Sequence, residues 1–192
     1  MLQKILVWFI GFSPFTKRWF WKKWYNVFAD RAKNSDFKFM NYGFDENGFF
    51  PDLKTEDKQE RYPIQLYHHV ASQTDLSGKV VLEVGSGRGG GASYVSRYLR
   101  PSSVLGVDIS ESAVELCNSI HAVDNLSFTV GDSEDLPFDA GSFDVVLNVE
   151  SSHCYGSVDQ FLKEVNRVLK PGGHFLWCDL RPPGNINDTY SR

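Results

Sequence analysis

The chain has 192 residues, 42% hydrophobic and 23% charged, with a formal net charge of −4. That length fits one domain with a short appendage, and the composition excludes a disordered chain. No apolar run reaches the roughly 20 residues of a membrane-spanning helix. Three cysteines (Cys117, Cys154, Cys178) without a CxxC pair exclude a disulfide framework or a zinc knuckle and point to a reducing, cytoplasmic compartment.

The charge is unevenly distributed. Residues 1–29 carry Lys4, Lys17, Arg18, Lys22 and Lys23 and no acid, whereas the rest of the chain holds all 24 acids against 15 bases. An acidic body argues against a nucleic-acid partner, because phosphate-backbone binding needs basic surface. Four of the five Trp residues (Trp8, Trp19, Trp21, Trp24) lie in the same cationic arm, read here as residues 1–39. At 100° per residue, Phe20, Trp21, Trp24, Val27 and Phe28 share an arc of about 120°, as in an amphipathic helix. Interfacial Trp beside Lys22 and Lys23 predicts a peripheral membrane contact through residues 1–29. A signal peptide fits less well, since no small-residue cleavage site follows the apolar run Ile5 to Ile10. A lid over a binding pocket is the plain structural alternative.

Residues 40–192 read as the main domain, with its core at 79–180. A helix starts at Arg61, with Pro63 in its first turn and Ile64, Tyr67, Val70, Ala71 and Thr74 on one face. Lys79 to Val84 is a buried strand that runs into glycines, followed by a helix through Ala92, Val95 and Leu99. Ser103 to Asp108 is the second strand, and Ser110 caps a helix through Ala113, Val114 and Cys117. Leu126 to Val130 and Phe143 to Val149 are the third and fourth strands. Ser157 with Gln160 forms a capping box for a helix with Phe161, Val165 and Val168 inward. Lys170-Pro-Gly-Gly173 stops that helix, and His174 to Leu180 is the fifth strand. Apolar strands alternating with helices predict an α/β fold, a doubly wound and mostly parallel sheet, with ligands at the carboxyl ends of the strands.

The first strand ends in Glu83-Val-Gly85-Ser-Gly87-Arg-Gly89-Gly-Gly91, where glycines permit close approach of a ligand to the following helix N-terminus. Gly85, Gly87 and Gly90 also satisfy GxGxxG, so a nicotinamide dinucleotide and S-adenosylmethionine both fit. Both use an acid at the end of the second strand, here Asp108, whose two oxygens can accept from both ribose hydroxyls. Charge separates them: a pyrophosphate beside Glu83 is a like-charge contact, whereas S-adenosylmethionine brings a sulfonium and an ammonium. Arg88 is expected to point to solvent from the loop. Gly131-Asp132 follows the third strand, where a carboxylate can accept from an adenine amine. Asp132 as a simple turn former is the alternative.

These residues resemble the class I S-adenosylmethionine-dependent methyltransferases over roughly residues 60–180. The resemblance rests on the ExGxGxG of Glu83 to Gly89, Asp108, Gly131-Asp132, Asp144 to Asn148 (DVVLN) and Arg167 to Gly173 (RVLKPGG). Within that superfamily, Met40 to Phe44 (MNYGF), Gln65 to His68 (QLYH), Val84 to Gly91 and Asn148 to Gly156 (NVESSHCYG) are similar to O-methyltransferases of the phthiotriol and phenolphthiotriol dimycocerosate type. The resemblance implies a Rossmann-like sheet, methyl transfer to a hydroxyl of a lipid or hydrophobic small molecule, and no metal. A cofactor-binding remnant or interaction protein is the alternative, and a nicotinamide oxidoreductase a more distant one.

The implied cofactor set is Glu83, Gly85, Ser86 and Gly87 at the methionine end, Asp108 and Ile109 at the ribose, and Asp132 and Ser133 at the adenine. Asn148 and Val149 are expected to line the floor, and Tyr42 to close over the cofactor. An alcohol is a poor nucleophile, so a base adds about 10²- to 10⁴-fold. His153, just past the fourth strand, is the candidate, with Asp179 orienting its imidazole. Cys154 is read as pocket lining, and His68 and His69 as packing. The family's sheet continues past the fifth strand with a helix and an antiparallel hairpin. Residues 181–192 lack apolar periodicity, so the expectation is a truncated sheet whose fifth-strand edge invites self-association.

Overall fold

The computed structural model describes residues 37–45 and 51–180, together with Ser13, Thr16, Lys17, Phe20 and Lys23. The membrane contact, the amphipathic arc beyond Phe20 and the tail 181–192 therefore lie outside the described residues. A 3-10 helix (Thr55–Glu60) leads into α1 (Arg61–Ala71). Then follow β1 (Val80–Val84), α2 (Gly90–Tyr98), β2 (Ser103–Asp108), α3 (Glu111–Ile120) and β3 (Leu126–Val130). β4 (Phe143–Val149), a single 3-10 turn (Ser152–Cys154), α4 (Val158–Val168) and β5 (Leu169–Cys178) complete the order.

The five strands form one parallel sheet in the order β3-β2-β1-β4-β5. The chain walks outward from β1 to β3 and then returns to pair β4 with the other side of β1. That reversal opens a crevice at the carboxyl ends of β1 and β4, where open α/β sheets bind ligands.

The strands are apolar on both sides because both faces are covered. On one face Val81, Val104, Val145 and Leu147 pack with Ile64, Tyr67 and Val70 of α1, Tyr94 and Val95 of α2, and Val114 and Cys117 of α3. On the other, Leu82, Val84, Val107 and Val146 pack with Phe161, Val165 and Val168 of α4. Full burial of one such side chain contributes about 1.5–3 kcal/mol.

Three local expectations are corrected. α1 ends at Ala71 with Ser72 as its cap, so Thr74 lies beyond it. Ser157 does cap α4, its Oγ accepting from Gln160 N at 3.2 Å, but Gln160 does not reach back. Its Nε2 donates to Glu134 O (3.3 Å), and Glu134 Oε1 takes the Ser157 N–H (3.0 Å) instead. β5 begins at Leu169 rather than His174. Phe143 pairs with Leu169 and Val145 already with His174, so residues 170–173 bulge out of the ladder opposite Asp144. Lys170 Nζ holds Asp144 Oδ1 there at 3.0 Å.

Candidate active site

A cavity of about 370 Å³ opens at the carboxyl ends of β1, β2 and β4. One wall is the glycine loop. Gly85 N and Ser86 N both donate to Val107 O, at 2.8 and 3.1 Å, which turns the chain sharply off β1. Gly85 has φ +75, and a Cβ there would lie 1.9 Å from Ser151 Oγ and 2.7 Å from the Tyr155 hydroxyl. At Gly91 a Cβ would fall 2.0 Å from the Tyr67 ring. Only hydrogen at these positions lets the loop, α1 and the segment after β4 meet.

The loop is tied from behind by side chains that the sequence pattern did not reveal. The Cys117 thiol donates to Gly87 O (3.3 Å) and the His121 Nε2–H to Arg88 O (2.8 Å). Arg88 does not point to solvent: it is 3% exposed, and its Nε–H donates to Phe37 O. The guanidinium is turned back under residues 37–45, 5.9 Å from the centre of the Phe37 ring, and burial lowers its pKa. That segment crosses the cavity mouth as a strap. Gly90 N donates to Lys38 O (3.2 Å), Tyr42 N to Glu150 Oε2 (2.9 Å) and Phe44 N to Tyr62 O (3.0 Å). Tyr42 lines the cavity, yet it is 84% exposed, so its backbone rather than its ring is held over the site.

Asp108, at the end of β2, takes Gly87 N–H on Oδ2 (2.8 Å) and Ser110 N–H on Oδ1 (2.9 Å). Burial raises its carboxyl above the ordinary range, and these backbone donors pull against that rise. The carboxylate offers about four acceptor sites and the backbone N–H groups of Gly87, Ser110 and Ile109 take three, which leaves capacity for a further donor. Ile109, Asp132 and Ser133 line the same cavity. Asp132 Oδ1 accepts from Glu134 N (3.0 Å), so the turn-forming role and the cavity position coexist.

Glu83 and Asn148 stand behind the wall instead of in it. Glu83 is 1% exposed and accepts from the Tyr67 hydroxyl at 2.6 Å. Burial drives its carboxyl up to about 8 against the pull of the Tyr67 hydrogen bond. Burial thus disfavours its charged form, which weakens the like-charge argument against a pyrophosphate. Asn148 does not line the floor. It is fully buried, and its Nδ2 donates to Val84 O (2.8 Å) and to the Tyr155 hydroxyl (2.9 Å). Tyr155 in turn sits 2.5 Å from Ser151 Oγ. Ser151, Tyr155 and Val149 form the floor that Asn148 supports from below.

The opposite end of the cavity carries titratable side chains. His153, in the turn after β4, pairs with Asp179, just past β5, through Nδ1–H and Oδ1 at 2.7 Å. The His153 side chain is 34% exposed and lines the cavity; the Asp179 side chain is 2% exposed. The hydrogen bond to Asp179, followed by that to Cys154, raises the imidazole to about 10. Asp179 is held at about 2: burial would lift it, but the bonds from His153 and Ser152 win. Glu150 also lines this end, with φ +47 and a carboxyl raised by burial. Cys154 lines the cavity, while His68 bonds the Tyr94 hydroxyl (2.6 Å) and His69 packs on Phe44, both away from it. Among the described residues, no cluster of three or more His, Cys, Asp or Glu could hold a metal.

Residues 82–177, half of the chain, match the family model described as a methyltransferase domain. The chain belongs to that family. The chain is 46% identical over 175 residues to the phthiotriol/phenolphthiotriol dimycocerosates methyltransferase of Mycobacterium tuberculosis, covering 91% of this chain and 65% of that relative. It is 48% identical over 163 residues to the fatty-acid O-methyltransferase of Mycolicibacterium smegmatis, covering 84% and 60%. The chain thus spans less than two thirds of the length of these relatives. The solved structure of the cyclase SpnF matches with a TM-score of 0.67, at 24% identity over 80% of this chain and 57% of that one. The Rossmann-like sheet expected from the sequence is the fold of class I methyltransferases, as that resemblance implied. No helix among the described residues is long and apolar enough to cross a membrane.

Proposed function

We propose that this chain binds S-adenosylmethionine in the cavity and methylates a hydroxyl of a lipid or hydrophobic small molecule, with His153 as the base. The observation that carries the reading is one cavity with two chemically distinct ends: a backbone-built glycine loop beside Asp108, and the His153–Asp179 pair facing it. Several features support the cofactor. The hydrogen-only Gly85 brings Ser151 and Tyr155 up against the loop, and their neutral hydroxyls can accept from an ammonium. Asp108 keeps acceptor capacity for a ribose hydroxyl, and Asp132 with Ser133 offers polar groups where an adenine would lie. S-adenosylmethionine supplies an electrophilic methyl group.

The chain's own residues do the rest. The cavity positions the acceptor oxygen, and good orientation alone lowers a barrier by up to roughly 7–11 kcal/mol. His153 takes the hydroxyl proton at Nε2, and Asp179 stabilises the imidazolium that results. Because Asp179 raises the imidazole to about 10, about one molecule in a thousand holds a neutral His153 at pH 7, so activity should climb steeply as pH rises toward 10. The acceptor enters under the strap, where Phe37, Met40 and Tyr42 are exposed at the mouth. This apolar rim supports a lipid acceptor delivered from a membrane that residues 1–29 touch. Self-association through β5 is a further part of the proposal, since β5 pairs only with β4 among the described strands.

Calorimetry tests the cofactor: S-adenosylmethionine binds and NADH does not. NADH binding with no response to S-adenosylmethionine overturns the reading. Co-sedimentation tests the membrane contact: the chain pellets with anionic vesicles at low salt and loses this on deletion of residues 1–29.

A further inference from the structure

The ends of β4 and β5 carry a chain of polar contacts that leads away from the cavity. Trp177 Nε1–H donates to Ser152 Oγ at 3.0 Å, the Ser152 hydroxyl donates to Asp179 Oδ2, and Asp179 Oδ1 accepts the His153 Nδ1–H at 2.7 Å. Of these four residues only His153 lines the cavity. Ser152 is fully buried. Local structure places them together: Ser152 and His153 are consecutive in the 3-10 turn after β4, and Trp177 and Asp179 are two apart on an extended chain, hence on one side of it.

The chain has a direction. An indole N–H only donates and a carboxylate only accepts, so the hydroxyl between them must accept from Trp177 and give its single proton to Asp179. Asp179 is then held at both oxygens, Oδ2 by Ser152 and Oδ1 by His153, with the Leu180 N–H also on Oδ1 at 2.7 Å. The carboxylate cannot rotate away from the imidazole. A ring engaged through Nδ1–H presents Nε2 to the cavity in the tautomer that can take a proton.

Resting on the methyl-transfer reading above, we propose that Ser152, clamped by Trp177, is a positioning residue for His153 that acts through Asp179. The hydroxyl does two things. It fixes the carboxylate, and it shares the negative charge that would otherwise fall wholly on the imidazolium. The other groups facing His153 are Glu150, from the end of β4, and Cys154 in the same turn. Cys178 and Tyr155 lie near Asp179. None of these is altered by removing the Ser152 hydroxyl, so a change in His153 titration reports the Ser152–Asp179 contact.

The test is nitrogen-15 NMR of the five histidine rings in the whole chain from pH 6 to 11, with His153 assigned by the signal lost in His153→Gln. Ser152→Ala is expected to move the His153 midpoint upward by about 0.5 pH or more, because Asp179 then leans on the imidazolium alone. Ser152→Thr keeps the hydroxyl and restores the wild-type midpoint. Trp177→Phe shifts it in the same direction by less, and carries the test if Ser152→Ala does not fold. An unmoved midpoint in the folded variants, or a Thr variant that behaves like Ala, overturns the proposal. The methyl-transfer reading fails separately, when calorimetry finds no S-adenosylmethionine binding while the titration shifts still occur.

Discussion

The two ends of the cavity are built from different materials. At the β1–β2 end the wall is main chain: glycine amides and carbonyls, locked by Cys117, His121 and Arg88 from behind, with Asp108 and, further along, Asp132 as acids that line it. At the β4–β5 end the wall is side chain, and its members titrate: His153 against Asp179, with Glu150 beside them. The first end suits a ligand whose shape never varies. The second suits an exchangeable molecule whose proton has to move. On the proposed function, binding falls to one end and chemistry to the other, and substitutions should separate the two.

The largest effect is expected at the reactive end. His153→Ala should lower turnover by about 10²-fold or more while leaving the S-adenosylmethionine Kd within about twofold of wild type. Unchanged turnover with an accepted substrate would mean that positioning carries the reaction by itself. At the binding end the pattern should invert. Asp108→Ala removes the hydrogen bond to the ribose and should weaken the donor by about 1.5–3 kcal/mol, roughly 10- to 150-fold in Kd. Gly85→Ala forces a Cβ against Ser151 at φ +75. Left-handed strain of about 1–2 kcal/mol should appear as lost stability in denaturant melts, along with weaker donor binding.

A subtler probe is the pH dependence of stability. His153 has a folded-state pKa near 10, above its unfolded value, so its contribution is complete below about pH 6.5 and is lost as pH rises toward 10. Asp179, depressed to about 2, contributes fully above about pH 3.9 and loses this as pH falls toward 2. The stability gap between wild type and Asp179→Asn should therefore be widest between about pH 4 and 6.5. Hydrogen bonds to charged groups contribute about 1.5–3 kcal/mol, and the partial exposure of His153 puts this pair at the lower end. A gap that stays flat from pH 4 to 10 would show that the pair is not ionic.

Much of this organisation is legible in the chain itself. β1 to β4 fall within a residue of their predicted ranges because runs rich in Val, Leu and Phe end at turn-forming residues, even where Glu83, Ser127, Thr129 and Asn148 interrupt them. Asp108 and the glycine loop are legible because their chemistry depends on backbone position, which spacing encodes. Arg88 and Asn148 were misplaced for the opposite reason: where a side chain points depends on what packs behind it. For Asn148 the signal was present in parity, since neighbours on a strand face opposite sides. Val149 reaches the cavity, so Asn148 turns toward Tyr155. Tyr67, Tyr155 and Ser152 lie inside the motifs that carry the resemblance, but their roles are not legible there, because each makes its contacts only when distant segments meet. The bulge at residues 170–173 was read as a helix stop, which it also is.

The strap at the cavity mouth is fastened by main-chain atoms, the carbonyls of Phe37 and Lys38 and the amides of Tyr42 and Phe44, and by Phe39 buried in the core and Asn41 Nδ2 on Pro63 O at 3.2 Å. The side chains of Phe37, Met40 and Tyr42 stay exposed and border the entrance, the Phe37 ring facing the Arg88 guanidinium at 5.9 Å. Anchorage and selectivity are thus written in separate alphabets. Mutational drift at positions 37, 40 and 42 can reshape the doorway while the hinges stay in place, which makes these three sites the natural place for a directed-evolution library to begin.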